Sequence, residues 1–386
     1  MIPADRNIRQ RIIEEIVGLS SSSINLTDQQ LKALILRALI SGKFEKNGTL
    51  SDKRQLAARI FADMRGLDIL QELFDDPEIT EIMVNGPHSI FYEKKGLISS
   101  SDLTFEDSDH LRGFIDRCFG RANKLINEQT PIAGMRLEDG SRVQAVLEPA
   151  AASGPYISIR RYGGIKPAMD KLIQAGFLTN DIADFLKQAV QEKRNIFISG
   201  GTGTGKTTFL NALSGYIPEF ERIVTIEDEA ELDLQNSQNL VILQARKASP
   251  DGSGEITLSD LIRLSLRLRP DRIIVGEVRG GEAYEMIQAM HTGHPGSMST
   301  GHGNSASDML ERLSLMLIMH SPLPWDACRR LVGMAADLVI QLERTSEGFR
   351  RIKEIIEVKG VANGDFCCSH IFNCSDQAIY AESKDK

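Results

Sequence analysis

The stretch Gly200-Gly201-Thr202-Gly203-Thr204-Gly205-Lys206-Thr207 decides the fold, because it matches every fixed position of the phosphate-binding loop G-x-x-x-x-G-K-[ST]. The apolar residues 195–199 before it predict a buried strand, and residues 207–213 after it predict a helix. In that context the backbone N–H groups of the loop turn inward at a helix N-terminus, around the β-phosphate of a nucleoside triphosphate. The sequence therefore predicts a nucleotide-binding α/β domain.

Each residue type in this loop has a task toward a bound triphosphate. Lys206 is predicted to reach the β- and γ-phosphates, and the Thr207 hydroxyl is predicted to bind Mg²⁺. We therefore expect ATP and Mg²⁺ as cofactors. The predicted nucleotide-binding residues are Gly201, Thr202, Gly203, Thr204, Gly205, Lys206, Thr207 and Thr208.

Composition limits the possible classes of function. The 386 residues are too many for one ordinary core, so two or three domains are expected. A formal net charge of −8 with one Trp and six Tyr argues against a dedicated nucleic-acid-binding protein, and no stable nucleic-acid binding is expected. Five cysteines without a spaced framework, no signal peptide and no apolar span of roughly 20 residues predict a cytoplasmic protein, peripheral to a membrane at most.

Changes of pattern divide the chain into four segments. They are a helical extension (1–66), a small α+β domain (67–162), a linker (163–167) and a domain of alternating helices and strands around a parallel sheet (168–386). The extension contains Thr27-Asp28-Gln29-Gln30, which has the form of a capping box. The amphipathic stretch 31–39 after it either packs inside its own domain or docks a partner. Strands of the α+β domain are predicted at 81–87, 89–96, 142–146 and 156–160.

Acidic residues follow two further predicted strands of the last domain. Strand 222–226 runs into Glu227 and Asp228, and strand 272–275 runs into Gly276 and Glu277. Catalytic groups of an open α/β sheet lie beyond the carboxyl ends of its strands. We therefore expect Glu277 to activate the attacking water, with Glu227 sharing the general-base role or holding a water. The predicted metal site comprises Thr207, Glu227, Asp228 and Glu277; the alternative for the acids is a solvated strand end.

The turn-rich segment 292–302 contains two Gly-His pairs. His291, His294 and His302 are close in sequence, but their spacing matches no common zinc-binding pattern. We expect His294 and His302 to lie near the γ-phosphate, where an imidazole can sense the state of the nucleotide by hydrogen bonding. A structural role in a polar turn is the alternative.

Four motifs in order resemble those of the traffic ATPases of type II and type IV secretion. They are the loop at 200–208, the acidic box 226–232, a Walker B strand 273–279 with an unusual Gly-Glu ending, and the histidine box 292–302. Within that family the chain resembles the tight-adherence (Tad) pilus assembly branch, through the N-terminal helical segment and the tail Gly364-Asp365-Phe366, which match it more loosely than the four motifs match the family. A four-cysteine zinc module found in two other branches is missing, since only Cys328 lies between the Walker B strand and residue 340.

The resemblance implies a PAS-like N-terminal domain joined to a RecA-like ATPase domain in a homo-hexamer. It implies that ATP hydrolysis drives pilus assembly through an inner-membrane platform protein, at the inner face of the cytoplasmic membrane. A conjugative or type IV secretion ATPase is the alternative, and a RecA-like helicase a remote one. Arg136, Arg142 and Arg160 resemble the family's arginine fingers, which would act as catalytic groups on the γ-phosphate, and Arg161 does so less clearly.

Overall fold

The chain divides into two compact units, residues 1–164 and 165–386. The computed structural model describes residues 27–40, 49–94, 96–161, 168–234, 237–246, 248 and 252–374. The predicted linker 163–167 lies outside these described residues, and so does the chain before residue 27. Each unit has its own sheet and its own apolar core.

The first unit begins with two helices that cover each other's apolar faces. They are α1 (Asp28–Ile40) and α2 (Leu50–Arg65). The predicted capping box is confirmed, because the Thr27 N–H donates to Gln30 Oε1 at 2.9 Å and the Gln30 N–H donates to Thr27 Oγ1 at 3.4 Å. Leu31, Ile35 and Leu39 are buried in one cluster with apolar residues of α2. The amphipathic stretch 31–39 therefore packs inside its own unit.

A six-stranded antiparallel sheet forms the rest of this unit, after a 3₁₀ turn (Asp68–Leu70) and a short helix α3 (Gln71–Asp75). Its order is β3-β2-β1-β6-β5-β4, and the apolar side of α4 packs on one face. The four predicted strands are confirmed as β1, β2, β5 and β6. The elements are β1 (Ile79–Asn85), β2 (Ile90–Lys94), β3 (Leu97–Ser100), α4 (Ser108–Arg121), β4 (Ile132–Arg136), β5 (Arg142–Val146) and β6 (Tyr156–Arg160).

The second unit is an eight-stranded sheet with helices on both faces. Its elements are α5 (Met169–Gln174), α6 (Asn180–Gln191), β7 (Ile196–Gly200), α7 (Lys206–Ser214), β8 (Arg222–Glu227), β9 (Asn239–Gln244), α8 (Leu258–Ser265), β10 (Arg272–Val275), α9 (Glu282–His291), β11 (Met298–Gly301), α10 (Ala306–His320), α11 (Trp325–Ala335), β12 (Leu338–Arg344), β13 (Arg350–Ala362) and β14 (Asp365–Asn373). The strand order is β14-β13-β12-β7-β11-β10-β8-β9.

This order confirms an α/β fold but corrects the prediction of a wholly parallel sheet. The strands from β12 to β9 in the sheet order are parallel, whereas β13 and β14 are antiparallel additions at one edge. A tight turn joins β12 to β13, and a tight turn can only return the chain antiparallel. The strand that leads into the phosphate-binding loop, β7, lies between β11 and β12. Within the described ranges, no helix is long and apolar enough to cross a membrane.

Candidate functional site

The phosphate-binding loop joins the buried strand β7 to helix α7. Gly203 and Gly205 have φ values of +73° and +92°, a left-handed conformation that favours glycine. The Thr204 hydroxyl is turned inward and donates to the Gly201 carbonyl at 2.9 Å. Helix α7 starts directly after Gly205, so the loop ends at the N–H groups of a helix N-terminus, which have no acceptor within the helix. The backbone therefore forms the cradle for an anion that the sequence predicts.

Lys206 is held at the mouth of this loop by its own backbone. Its ammonium nitrogen Nζ donates to the carbonyl oxygens of Gly200 and Gly201, at 2.9 and 3.0 Å. The residue is only 9% exposed, and Nζ lies 3.5 Å from Nδ1 of His302. A cation with few water contacts beside free N–H groups raises the positive potential where phosphates would bind.

Glu277 stands at the carboxyl end of β10, where Arg279 donates a hydrogen bond to one carboxylate oxygen and His302 lies close to the other without forming a hydrogen bond. His302 Nε2 lies 2.9 Å from Oε1, and Arg279 Nη2 lies 2.5 Å from Oε2. The Glu277 side chain is 19% exposed, and its Oε1 atom is buried, so water reaches the carboxylate from the Oε2 side. The carboxylate is therefore oriented next to Lys206 and can still accept a proton from a water molecule.

His302 connects Glu277 to Lys206. Partial burial, followed by the nearby Lys206 ammonium, lowers the pKa of His302 below its usual value. The imidazole is then neutral at neutral pH and carries one N–H and one lone pair. Nε2 lies on the Glu277 side of the ring, and Nδ1 lies on the Lys206 side.

Glu227, at the end of β8, has a different environment from Glu277. It is 4% exposed, and Oε1 accepts the backbone N–H groups of Glu231 and Leu232 at 3.0 and 3.1 Å. A Cβ on Gly276 would lie only 2.8 Å from Glu227 Cγ, so a glycine is required there. These contacts give Glu227 a role in ordering the acidic box; its predicted role toward water or metal stays a prediction.

Two of the other predicted metal ligands lie where an ion could use them. Thr207 is in the first turn of α7, and the exposed Asp228 lies with Oδ2 3.9 Å from Arg279 Nη1. Among the described residues, no three His, Cys, Asp or Glu side chains group closely enough to hold a metal ion on their own. A Mg²⁺ ion would therefore take most of its ligands from phosphates and water, which is the usual arrangement for this ion.

The structure does not bring His294 to the phosphate-binding loop. His294 precedes β11, whereas His302 follows it, and β11 runs parallel to β7. The two histidines therefore lie at opposite ends of the sheet, with His294 at the amino end. Its carbonyl oxygen accepts the Ser297 hydroxyl at 2.8 Å. The prediction that both Gly-His pairs lie beside the γ-phosphate is therefore wrong for His294, because β11 separates His294 from His302.

Three of the predicted arginines form a row in the first unit. Arg136 lies opposite Arg142 in the β4–β5 pair, and Arg142 lies opposite Arg160 in the β5–β6 pair. Because side chains alternate along strands, all three are on the sheet face opposite the apolar core and α4. Arg161 is different, since its Nη1 donates to the Asp76 carbonyl at 2.5 Å, which is a structural contact.

The sequence prediction missed three arginines at the second unit's site. Arg279 holds Glu277, and Arg350 Nε donates to the carbonyl oxygen of Gly203 in the phosphate-binding loop at 2.8 Å. Arg344 lies opposite Arg350 across the β12–β13 pair. The sequence signal that could have identified Arg344 and Arg350 is their position on either side of a short turn. However, no spacing rule relates a turn to a loop 147 positions earlier in the chain.

The family model described as "Type II/IV secretion system protein" matches residues 63–372 of the chain. Probable conjugal transfer protein TrbB of Sinorhizobium fredii is 33% identical over 305 residues, covering 78% of this chain and 89% of the relative. Type IV secretion system protein PtlH of Bordetella pertussis is 34% identical over 311 residues, covering 74% and 91%. VirB11 of Brucella suis is 31% identical over 303 residues, covering 72% and 84%.

Two solved structures share the fold. The Legionella pneumophila ATPase DotB aligns with a TM-score of 0.55 and 20% identity, over 75% of this chain and 79% of that chain. The pilus retraction motor PilT with bound ADP aligns with a TM-score of 0.50 and 19% identity, over 82% and 86%. The named relatives carry type IV secretion and conjugation names, so the comparisons support the broad family resemblance and not its Tad branch. The chain belongs to the type II/IV secretion system protein family.

Proposed function

We propose that this chain is the ATP-hydrolysing motor subunit of a type IV secretion or conjugal transfer system. The observation that carries the proposal is the Glu277 carboxylate, which lies between His302 and Arg279 beside Lys206 of the phosphate-binding loop. Binding of a triphosphate alone needs only the loop and its lysine. An oriented carboxylate within the same site is the group that water attack on a γ-phosphate requires.

The chain's own residues divide the work of the reaction. The N–H groups of the loop and Lys206 bind and orient the phosphates. Glu277 accepts the proton of the attacking water, while Arg279 orients its carboxylate by a hydrogen bond to Oε2 and His302 lies beside Oε1. Mg²⁺, when bound with ATP, neutralises phosphate charge, and Thr207, Asp228 and bound water are its candidate partners.

We further propose that the arginine row of the first unit completes the site. Phosphoryl transfer builds negative charge on the γ-phosphoryl oxygens, and a guanidinium offers two planar donors to neutralise it. The register that aligns Arg136, Arg142 and Arg160 supports this role, because three like charges in one row attract an anion. In this proposal the first unit is a PAS-like domain and the second a RecA-like ATPase domain. Six copies form a ring at the inner face of the cytoplasmic membrane.

Phosphate release in the presence of ATP and Mg²⁺ tests the enzymatic part of the proposal. Wild-type protein should turn over, and Lys206→Ala should lose nucleotide binding and turnover together. Arg→Ala variants of the row should bind ATP normally but hydrolyse it about 10³-fold more slowly. Turnover per subunit should also rise with protein concentration as the ring assembles. Turnover that is flat with concentration and near wild type in all three arginine variants would contradict the role of the row.

A motor for Tad pilus assembly is the second candidate. It rests on the tail Gly364-Asp365-Phe366, but this tail also has a packing role. Gly364 has a φ of +88° in the β13–β14 turn, and Phe366 lies under the Arg329 guanidinium, 4.9 Å from the ring centroid. In a strain that lacks the gene, loss of protein or DNA transfer with normal pili would support secretion. Loss of pili alone would support pilus assembly.

A further inference from the structure

The turn between β12 and β13 lies against the phosphate-binding loop. Besides the bond from Arg350 Nε to the Gly203 carbonyl, Arg344 also approaches the loop. A Cβ built on Gly203 would lie 3.7 Å from Arg344 Nη1, and a Cβ built on Gly205 would lie 3.7 Å from Arg350 Cδ. Both guanidinium side chains are therefore in van der Waals range of the two left-handed glycines that shape the cradle.

This arginine pair concentrates positive charge at one flank of the loop. Arg344 and Arg350 are directly opposite each other across the β12–β13 pair, so their side chains share one face. In the part of the chain that the structure describes, the Arg344 guanidinium has no hydrogen-bond or ion-pair partner. By contrast, Arg351, which follows Arg350 on β13, is paired with Glu343 at 2.7 Å on the other face. Two neighbouring guanidiniums at a phosphate cradle favour an anion between or above them.

The strand order shows which end of a nucleotide this pair would meet. Glu277 and His302 follow β10 and β11, which lie on one side of β7. Arg344 and Arg350 belong to β12 and β13, which lie on the other side of β7. Because water attack occurs at the γ-phosphate, the γ end faces Glu277. The chain of phosphates then runs away from Glu277, and the opposite flank meets the α-phosphate and the nucleoside.

We propose that Arg344 and Arg350 form the binding site for the α-phosphate and base of the nucleotide. The planar guanidinium of Arg344 can donate paired hydrogen bonds to an α-phosphate oxygen and can stack on a purine ring. Arg350 fixes the loop from the same side through Gly203. This inference rests on the proposed ATPase function. It gives the residues at the β12–β13 turn a role in binding the α-phosphate and base, which ATP and ADP have in common.

If Arg344 and Arg350 bind the α-phosphate and base, substitutions of Arg344 should change the affinities for ATP and ADP in a defined way. Arg344→Ala should weaken ATP and ADP by the same factor, about 10- to 100-fold, because both nucleotides carry the same α-phosphate and base. The rate at saturating ATP should change little, so the loss appears in KM and not in kcat. Arg344→Lys keeps the charge without the planar fork and should show an intermediate loss. Arg351→Ala removes a guanidinium from the partner strand β13, on the other face of the β12–β13 pair, and serves as the matched control.

The experiment measures dissociation constants of fluorescently labelled ATP and ADP for the full chain and these variants, with circular dichroism as the check on folding. Equal losses for ATP and ADP in Arg344→Ala, partial rescue in Arg344→Lys and wild-type values in Arg351→Ala are expected. A loss confined to ATP would overturn the inference, because it would assign Arg344 to the γ-phosphate. Affinities like those of Arg351→Ala would overturn it as well. Absence of nucleotide binding by the wild-type chain would instead overturn the proposed function, and the inference with it.

Discussion

The carboxyl ends of β10 and β8 look alike in sequence but differ in structure. Each strand is buried and ends beside a glutamate, Glu277 after β10 and Glu227 in β8. Glu277 accepts a hydrogen bond from the Arg279 side chain and lies close to His302, whereas Glu227 is held by backbone N–H groups of its own loop. Glu277 keeps an open side, but Glu227 is almost fully buried.

The difference shows that the partners of an acid, and not its position after a strand, decide what it can do. A carboxylate that satisfies several backbone N–H groups stabilises a loop, and its removal leaves buried donors unpaired. A carboxylate between side chains can exchange a partner for water during a reaction. Glu277 is therefore the stronger candidate for chemistry, and Glu227 the stronger candidate for structure.

The largest expected effect is on turnover in Glu277→Gln. The amide keeps the shape and can still accept hydrogen bonds, but it cannot take a proton from water. We expect the rate of ATP hydrolysis to fall about 10²- to 10⁴-fold with nearly unchanged ATP affinity. Phosphate release and labelled-nucleotide binding measure the two quantities. An equally large loss of ATP affinity would contradict the contrast drawn between Glu277 and Glu227, because it would assign Glu277 to nucleotide binding.

Glu227→Gln should affect stability more than turnover. The amide offers one acceptor oxygen, and its NH₂ group would face backbone N–H groups that now point at a carboxylate. We expect the second unit to lose about 1–3 kcal/mol of unfolding free energy, measured by denaturant titration. Turnover per folded molecule should fall far less than in Glu277→Gln. Full stability with turnover as low as in Glu277→Gln would restore the predicted catalytic role of Glu227.

Gly276→Ala tests the packing between the two strand ends. A Cβ at this position would meet Glu227 Cγ at 2.8 Å, and Glu227 cannot easily yield because its carboxylate is bound to the loop. We expect a cost of about 1–3 kcal/mol in unfolding free energy. The same substitution in a Glu227→Ala background should cost much less, since the clash is gone. An equal cost in both backgrounds would show that Glu227 is not the reason for the glycine.

Much of the fold could be predicted from local signals. The strands β5, β6 and β10 were predicted within their observed bounds, because alternating or continuous apolar residues stand out there between polar turns. The antiparallel strands β13 and β14 were not predicted. The buried residues of β13 do not alternate regularly, since Ile355 and Ile356 are consecutive and both buried. The place of both strands at the sheet edge depends on the turn after β12.

The site residues in the phosphate-binding loop and directly after predicted strands were predicted. Those that only the tertiary structure brings to the loop were missed. Lys206, Glu277 and His302 lie together as expected, since strand ends in a parallel sheet meet at one edge. The prediction for His294 was wrong because His294 and His302 are close in sequence although strand β11 lies between them. Arg344 and Arg350 were missed because only the neighbour relation of β12 and β7 brings them to the loop.

The smallest expected effect is on the titration of His302, which lies between Glu277 and Lys206 of the phosphate-binding loop. Burial and the Lys206 ammonium disfavour protonated His302, so its ring should titrate below the usual 6.5, as followed by NMR of the ring C–H signals. A lowered pKa means that the unfolded chain binds the proton first as pH falls. His302 therefore costs no stability above pH 6.5 and destabilises the fold increasingly below it. Removal of the Lys206 charge in Lys206→Met should raise the midpoint, and in His302→Gln the stability lost between neutral and acidic pH should be smaller than in wild type. A midpoint at or above 6.5 in wild type, or one unmoved by Lys206→Met, would show that the charge of the phosphate-binding lysine does not control the histidine beside Glu277.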